Sequence, residues 1–175
     1  TDAGLEHIKR ITHLTNLSRG YTAVTASGLE HLEGLTKLQR YSLFGANVTG
    51  SGLVHLKGMS KLRSLYLDNT PLTDEALVHL KGLTMLSSLW LNNTKVTDGG
   101  LVHLEGLTQL WALYLNNTSV TDAGLVHLEG MSGLSILNLS NTGITNAGLV
   151  HFEGMRFPRS FGGLSYSGTQ VTDAA

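Results

Sequence analysis

Histidines and acids are the residues of this chain that could hold a metal or move a proton. Seven of its eight histidines, His7, His31, His55, His79, His103, His127 and His151, stand 24 residues apart. An imidazole ladder suits metal coordination, or a charge change between about pH 5 and 8. The surroundings do not complete either. There is no cysteine to supply a thiolate. No carboxylate recurs beside the ladder, because Glu105 has Lys57 and Lys81 as its equivalents. The chain also lacks a phosphate loop, a G-x-S-x-G elbow, an H-E-x-x-H pair and a dinucleotide fingerprint. A catalytic centre is normally unique, whereas these residues recur in every copy. The expectation is no catalytic residue, no metal site and no cofactor. His103 falls two residues after Leu101, about 200° away on a helix, so the imidazoles are expected on the outer surface.

The elements that position these residues follow from the same period. Thr1, Thr25, Thr49, Thr73, Thr97, Thr121 and Thr145 repeat at 24 residues, while Thr145 to Thr172 is 27. Three extra residues therefore enter near Arg156–Ser160, where Pro158 argues for a loop. A clean copy runs from Val96 to Ser119 and has two halves. The first is L-x-x-L-x-L, as in Leu110, Leu113 and Leu115. Its alternation gives a strand of about three to five residues with the leucines on one face. The second half is T-D-x-G-L-V-H-L-E-G-L. Threonine ahead of Leu101 and Leu104 reads as a helix N-cap, with Asp74, Asp98 or Asp122 suited to the helix dipole. This predicts a helix of about two turns, tightened to 3₁₀ in some copies. The glycines at 34, 58, 82, 106, 130 and 154 are expected in the left-handed conformation that ends a helix; Arg10 takes their place in the first copy. Gly100 is equivalent to Ala76, so that position needs smallness, and we read it as a close approach of helix to sheet.

Strands that recur after a helix run parallel, joined by right-handed crossovers. Strands stack at about 4.8 Å and helices at about 8–10 Å. The array must curve, with strands concave and helices convex. The predicted fold is an α/β repeat solenoid occupying residues 1–175 as one domain of about seven copies. Its last copy, 146–175, is irregular, and the first is degraded, with Arg19 where leucine is expected. Both ends fall within a repeat, which leads us to expect a segment of a longer protein or a processed product.

Net charge is −1, which excludes the electrostatic footprint of nucleic-acid binding or attachment to an anionic membrane. No apolar run approaches the roughly 18 residues of a membrane span. Residues 1–95 hold ten Lys/Arg against seven Asp/Glu, and residues 96–155 hold five acids and no Lys or Arg. Sequons begin at Asn16, Asn47, Asn92, Asn116 and Asn138, but asparagine and threonine are too frequent in the repeat for these to be informative.

The pattern L-x-x-L-x-L-x-x-T-x-V-T-D-x-G-L resembles the leucine-rich-repeat family over essentially the whole chain. Most family members carry asparagine or cysteine after the strand. Here Thr22, Thr70, Thr94, Thr118, Thr142 and Thr169 stand there, with Ala46 once, and a hydroxyl can bond a turn carbonyl instead. The resemblance implies that the concave sheet is the functional surface and that it holds a protein or peptide partner. Outward positions include Phe44, Tyr66, Trp90 and Tyr114, then Trp111, with Asn92, Asn116 and Asn138 beside them. The few charges there are Arg40, Arg63 and Asp68. Aromatics bordered by asparagine and serine have the composition of a binding surface; stacking between neighbouring strands is the alternative. The binding reading predicts that Trp90→Ala and Tyr114→Ala weaken partner binding and barely shift melting. Two other roles stay open. One is a spacer, or an array that self-associates end to end. The other, implied by the resemblance alone, is the substrate-recognising part of a ubiquitin-ligase component or a bacterial effector, which would need a second domain.

Overall fold

The computed structural model of the chain describes residues 2–18, 20, 23–155, 157 and 163–172. Seven short parallel strands form one sheet in chain order. They are β1 (Asn16–Ser18), β2 (Arg40–Ser42), β3 (Ser64–Tyr66), β4 (Ser88–Trp90), β5 (Ala112–Tyr114), β6 (Ile136–Asn138) and β7 (Leu164–Ser165). Leu65 pairs with Leu89 and Leu89 with Leu113, each one 24-residue period on. The last step is longer, Leu137 to Leu164, which absorbs the three extra residues between β6 and β7. Most of Arg156–Ser160 lies outside the described residues, as do Arg19, Thr22 and Phe161. Phe157 is described, and its ring meets Phe152 edge-on at 5.8 Å.

The ladder continues beyond the strands into the turn that follows. Leu67 N–H donates to the Trp90 carbonyl at 2.9 Å, and Asn69 N–H to the Asn92 carbonyl at 2.9 Å. In six copies this turn uses a left-handed residue: Gly45, Asn69, Asn93, Asn117, Asn141 and Gly168, with φ between 54° and 70°. Asparagine tolerates that region better than other residues with a side chain. The threonine beside it then closes the turn. Thr94 Oγ1 donates to the Leu91 carbonyl at 2.7 Å, Thr118 to Leu115 at 2.6 Å and Thr142 to Leu139 at 2.6 Å. The expected hydroxyl-to-backbone bond therefore forms wherever a described threonine stands there, within a copy rather than between copies.

The helical half is compact. After α1 (Asp2–Ile8) come single α turns: α2 (Ala26–Leu29), α3 (Gly50–Leu53), α4 (Asp74–Leu77), α5 (Asp98–Leu101) and α6 (Asp122–Leu125). A 3₁₀ turn follows α2, α3, α4 and α6, and the seventh copy is 3₁₀ throughout Asn146–Phe152. Among the glycines expected to end these helices, only Gly154 has positive φ, at 82°. The others do not enter the left-handed region; a tight turn rather than a reversal leads into the next inward residue, with Leu83 N–H bonding the Leu80 carbonyl at 2.9 Å. A Cβ added at Gly82, Gly106 or Gly130 would meet no atom within 4 Å, which is why Arg10 is tolerated in the first copy.

Each middle copy contributes seven inward side chains. In one of them these are Leu62, Leu65, Leu67, Leu72, Leu77, Leu80 and Leu83, all fully buried. Their equivalents in neighbouring copies join them in one continuous core. Full burial of a leucine contributes about 1.5–3 kcal/mol, so stacking of copies stabilises the fold. Strands line one side of this core and helices the other, and their unequal spacing makes the strand side concave.

Candidate binding surface

The register sorts the outward side chains of the sheet into columns. Tyr66 pairs with Trp90, Trp90 with Tyr114 and Tyr114 with Asn138. The Tyr66 and Trp90 rings stack at 3.9 Å and 16°, and Trp90 and Tyr114 at 5.1 Å and 7°. All three are half-buried, and burial raises the Tyr114 phenol above its ordinary range. Strand stacking and surface display thus coexist in one column. Trp90 is covered on both ring faces, so Trp90→Ala is expected to cost stability as well as any partner contact.

Two residues take places other than those expected. Ser42, not Phe44, pairs with Tyr66; Phe44 sits in the turn after β2, half-buried. Asn138 lies within the aromatic column rather than beside Asn92 and Asn116. Both errors come from counting along the chain where the sheet counts by strand pairing.

The next column is Asp68, Asn92, Asn116 and Ser140. Asn92 donates its backbone N–H and its Nδ2 to Asp68 Oδ1 at 3.0 and 2.6 Å, and Asn116 N–H donates to Asn92 Oδ1 at 3.0 Å. Asp68 is only 5% exposed. Its carboxyl is raised by desolvation, partly countered by the hydrogen bonds from Asn92. Asp68 is therefore corrected from an open surface charge to a buried part of the turn scaffold, where it orients Asn92. The residues that remain open are Arg40 and Arg63, both exposed, and Trp111, at 43% exposure. Trp111 has no ring partner among the described residues. The larger residues around Ala112 and Ile136 keep both buried, although they belong to the same outward face. Over β1–β3, where Ser18 and Ser42 replace the large rings, the surface opens into a cleft of about 520 Å³ lined also by Asn16, Arg40 and Tyr66.

The histidine row is better ordered than its sequence suggested. His55, His127 and His151 place Nδ1 2.6 Å from Oε1 of Glu33, Glu105 and Glu129 in the preceding copy. An ionised carboxylate only accepts, so Nδ1 carries the hydrogen. Where that preceding position is Lys9, Lys57 or Lys81, His31, His79 and His103 form no such bond among the described residues; His103 Nδ1 is buried without a partner. The imidazoles are therefore half-covered links between copies in part of the array. No group of three or more histidine, aspartate or glutamate residues is placed to share a metal among the described residues.

Two features were missed in the sequence. The first is the role of the aspartate that opens α1, α4, α5 and α6. Its carboxylate grips the threonine of the next copy: Asp74 accepts from Thr97 N–H and Oγ1 at 2.7 and 2.6 Å, and Asp98 and Asp122 do the same for Thr121 and Thr145. Asp2 holds Thr25 alike, and the Thr25 backbone N–H, then its hydroxyl, keep the Asp2 carboxyl below its ordinary range. The threonines thus donate backward to a neighbour; among the described residues only Thr97 and Thr145 also cap their own helix. This aspartate explains the glycine two residues on in the next copy. A Cβ at Gly100 would lie 2.6 Å from Asp74 Oδ1, and one at Gly124 2.4 Å from Asp98 Oδ1. Ala76 fits because Gly50 stands where the aspartate would be. The close approach is therefore helix to helix, not helix to sheet. The second feature is a row of exposed valines on the helical side, Val54, Val78, Val102, Val126 and Val150. Its 24-residue period was visible but hidden among leucines.

No helix among the described residues is long and apolar enough to cross a membrane. No protein-family model and no curated protein matches the chain. Solved structures do. An internalin, InlF, from Listeria monocytogenes strain 4b F2365 superimposes with a TM-score of 0.79 and 24% identity, over 96% of this chain and 46% of its own. Internalin C2 from the same strain gives 0.75 and 25%, over 99% and 68%. A plant peptide hormone receptor, RGFR1, solved in complex with RGF2, gives 0.60 and 14%, over 95% and 26%. This chain spans about half of the first internalin and about a quarter of the receptor. The repeated inward leucines, the single parallel sheet and these likenesses together make the chain a leucine-rich-repeat protein by fold.

Proposed function

We propose that this chain is a non-catalytic recognition module that holds a protein or peptide partner against its concave sheet. The observation that carries this reading is Trp111: a large aromatic left 43% exposed immediately ahead of β5, the strand that carries Tyr114 of the stacked column. Indole and phenol rings give large contact area at low entropy cost, and exposed aromatic surface on a rigid sheet favours use over accident. The receptor bound to RGF2 lends the peptide half of the reading support by fold alone. The test is a random 12-residue peptide library selected on the wild-type protein. Binders are expected to lose at least about ten-fold in affinity with Trp111→Ala and to ignore Val102→Glu on the convex side. Binders that respond to Val102→Glu and ignore Trp111→Ala would move the site to the valine row.

End-to-end self-association is the second reading. Leu17 on β1 and Leu164 on β7 are only partly buried, whereas Leu65, Leu89 and Leu113 are sealed. Light scattering across a hundred-fold concentration range tests it; a constant apparent mass removes it.

A further inference from the structure

We propose that the cleft over β1–β3 is a specific slot for one aromatic side chain of an extended, acidic peptide segment of the partner. This rests on the concave-sheet reading and narrows it. Three rings stack along the sheet at spacings of 3.9 and 5.1 Å, which brackets the roughly 4.8 Å step between strands. The stack stops at Tyr66, because the next two positions in the column are Ser42 and Ser18. One face of the Tyr66 ring is covered by Trp90; Tyr66 also lines the cleft above the serines. A volume of about 520 Å³ lies in the range of sites that take a small ligand group. A guest ring seated there would continue the stack by one step. It would rest on Tyr66 as Trp90 rests on Tyr114, with the Ser42, Ser18 and Asn16 side chains able to hydrogen-bond the backbone that carries it.

Charge selects the neighbours of that ring. Arg40 lines the cleft and Arg63 lies one copy on, both exposed. Neither has a carboxylate partner among the described residues, and residues 1–95 carry the excess of Lys and Arg. A guanidinium recognises a carboxylate in a paired, planar geometry. A peptide with Glu or Asp flanking an aromatic residue uses both features, whereas a neutral sugar, which also stacks on rings, leaves the guanidiniums idle.

The probe is the peptide Ac-Gly-Glu-Phe-Glu-Gly-NH₂, titrated into ¹⁵N-labelled protein and followed by amide chemical shifts. Shifts are expected to centre on Ser18, Ser42 and Tyr66. Replacing Phe by Leu, or both Glu by Lys, is expected to weaken binding at least about ten-fold, the scale of one lost stacking or ionic contact. Ser42→Trp would fill the slot from within and abolish binding. Arg40→Glu, at an exposed position that leaves the stack intact, gives the same loss without touching the core. Equal binding of the Phe and Leu peptides overturns the proposal, as does a peptide unaffected by Arg40→Glu. Maltotriose shifting Ser42 while the peptide does not would also overturn it. Shifts centred on Trp111 with Ser42 unmoved would remove the slot and leave the concave reading standing; the library experiment with Trp111→Ala decides that reading separately.

Discussion

Asp68 places a carboxylate in a buried turn where the next two copies manage with asparagine. Desolvation raises its pKa above the ordinary value of 3.8. For a carboxyl raised on folding, the stability it contributes is fully present below that value and declines as pH rises through the folded pKa. Asp68→Asn keeps an oxygen for the Asn92 donors and removes the charge. It is expected to gain about 1 kcal/mol at pH 7, about 2–4 °C in melting temperature for a chain of this size. The gain should shrink towards zero as pH is lowered past 4. Calorimetry at both pH values checks it; a melting loss at pH 7 would show that the charge itself is needed. His103 offers the converse case, a buried Nδ1 without a partner, with Lys81 22 residues earlier, where His127 has Glu105. Lys81→Glu recreates the pairing of His127 with Glu105 and is expected to raise stability by up to about 1 kcal/mol, the ceiling for an exposed ion pair. Unchanged melting, with no new Nδ1 hydrogen signal, would count against it. Neither residue was legible as structural in the sequence. Asp68 looked like one of three surface charges because its burial depends on Asn92, 24 residues away. The Glu and Lys alternation was visible, but its consequence needed the offset between one copy's turn and the next copy's imidazole.

Between elements, the aspartate, the threonine it grips and the glycine it crowds form one joint. Gly100→Ala is expected to cost about 1–3 kcal/mol through overpacking against Asp74. Asp74→Gly alone loses the two bonds to Thr97 and costs a similar amount. Both changes together reproduce the natural pair of Gly50 and Ala76, so the double mutant should lie closer to wild type than the sum of the singles. Urea unfolding of the four proteins measures that coupling; strict additivity would mean that Asp74 moves aside freely. The strand half of the repeat was fully legible, since Leu-x-Leu alternation has one solution, and so was the mixed α and 3₁₀ helix. The caps were not. A threonine before a helix and an acid within it fit the rules for a single helix so well that the neighbour's claim on both was invisible. The same habit misplaced Phe44, which is aromatic and near a strand but two residues from the column that register defines.

Across the whole array, stability is a sum of copies and their interfaces. Leu89→Ala, sealed between two neighbours on each side, is expected to cost about 2–5 kcal/mol. Leu17→Ala, on an edge strand and already partly exposed, should cost less than half as much. Hydrogen exchange should be slowest in β3–β5 and fastest in β1 and β7; uniform protection would indicate a more cooperative unit than the contacts imply. Periodicity exposed this scale of the molecule most clearly, because curvature, sheet order and core all follow from one interval. It exposed the binding surface least, because copying fills every position whether or not a partner uses it. The joint between copies also sets a rule of adjacency. A copy opening with aspartate must be followed by one carrying glycine at the facing position, so the copies are not interchangeable parts. Tandem duplication of residues 97–120 would set a glycine against Asp98 and extend the array smoothly. Duplication of residues 73–96 would set the second Ala76 against the first Asp74, and the chain would carry a misfit at that seam. An array of this kind can lengthen from some of its members and not from others.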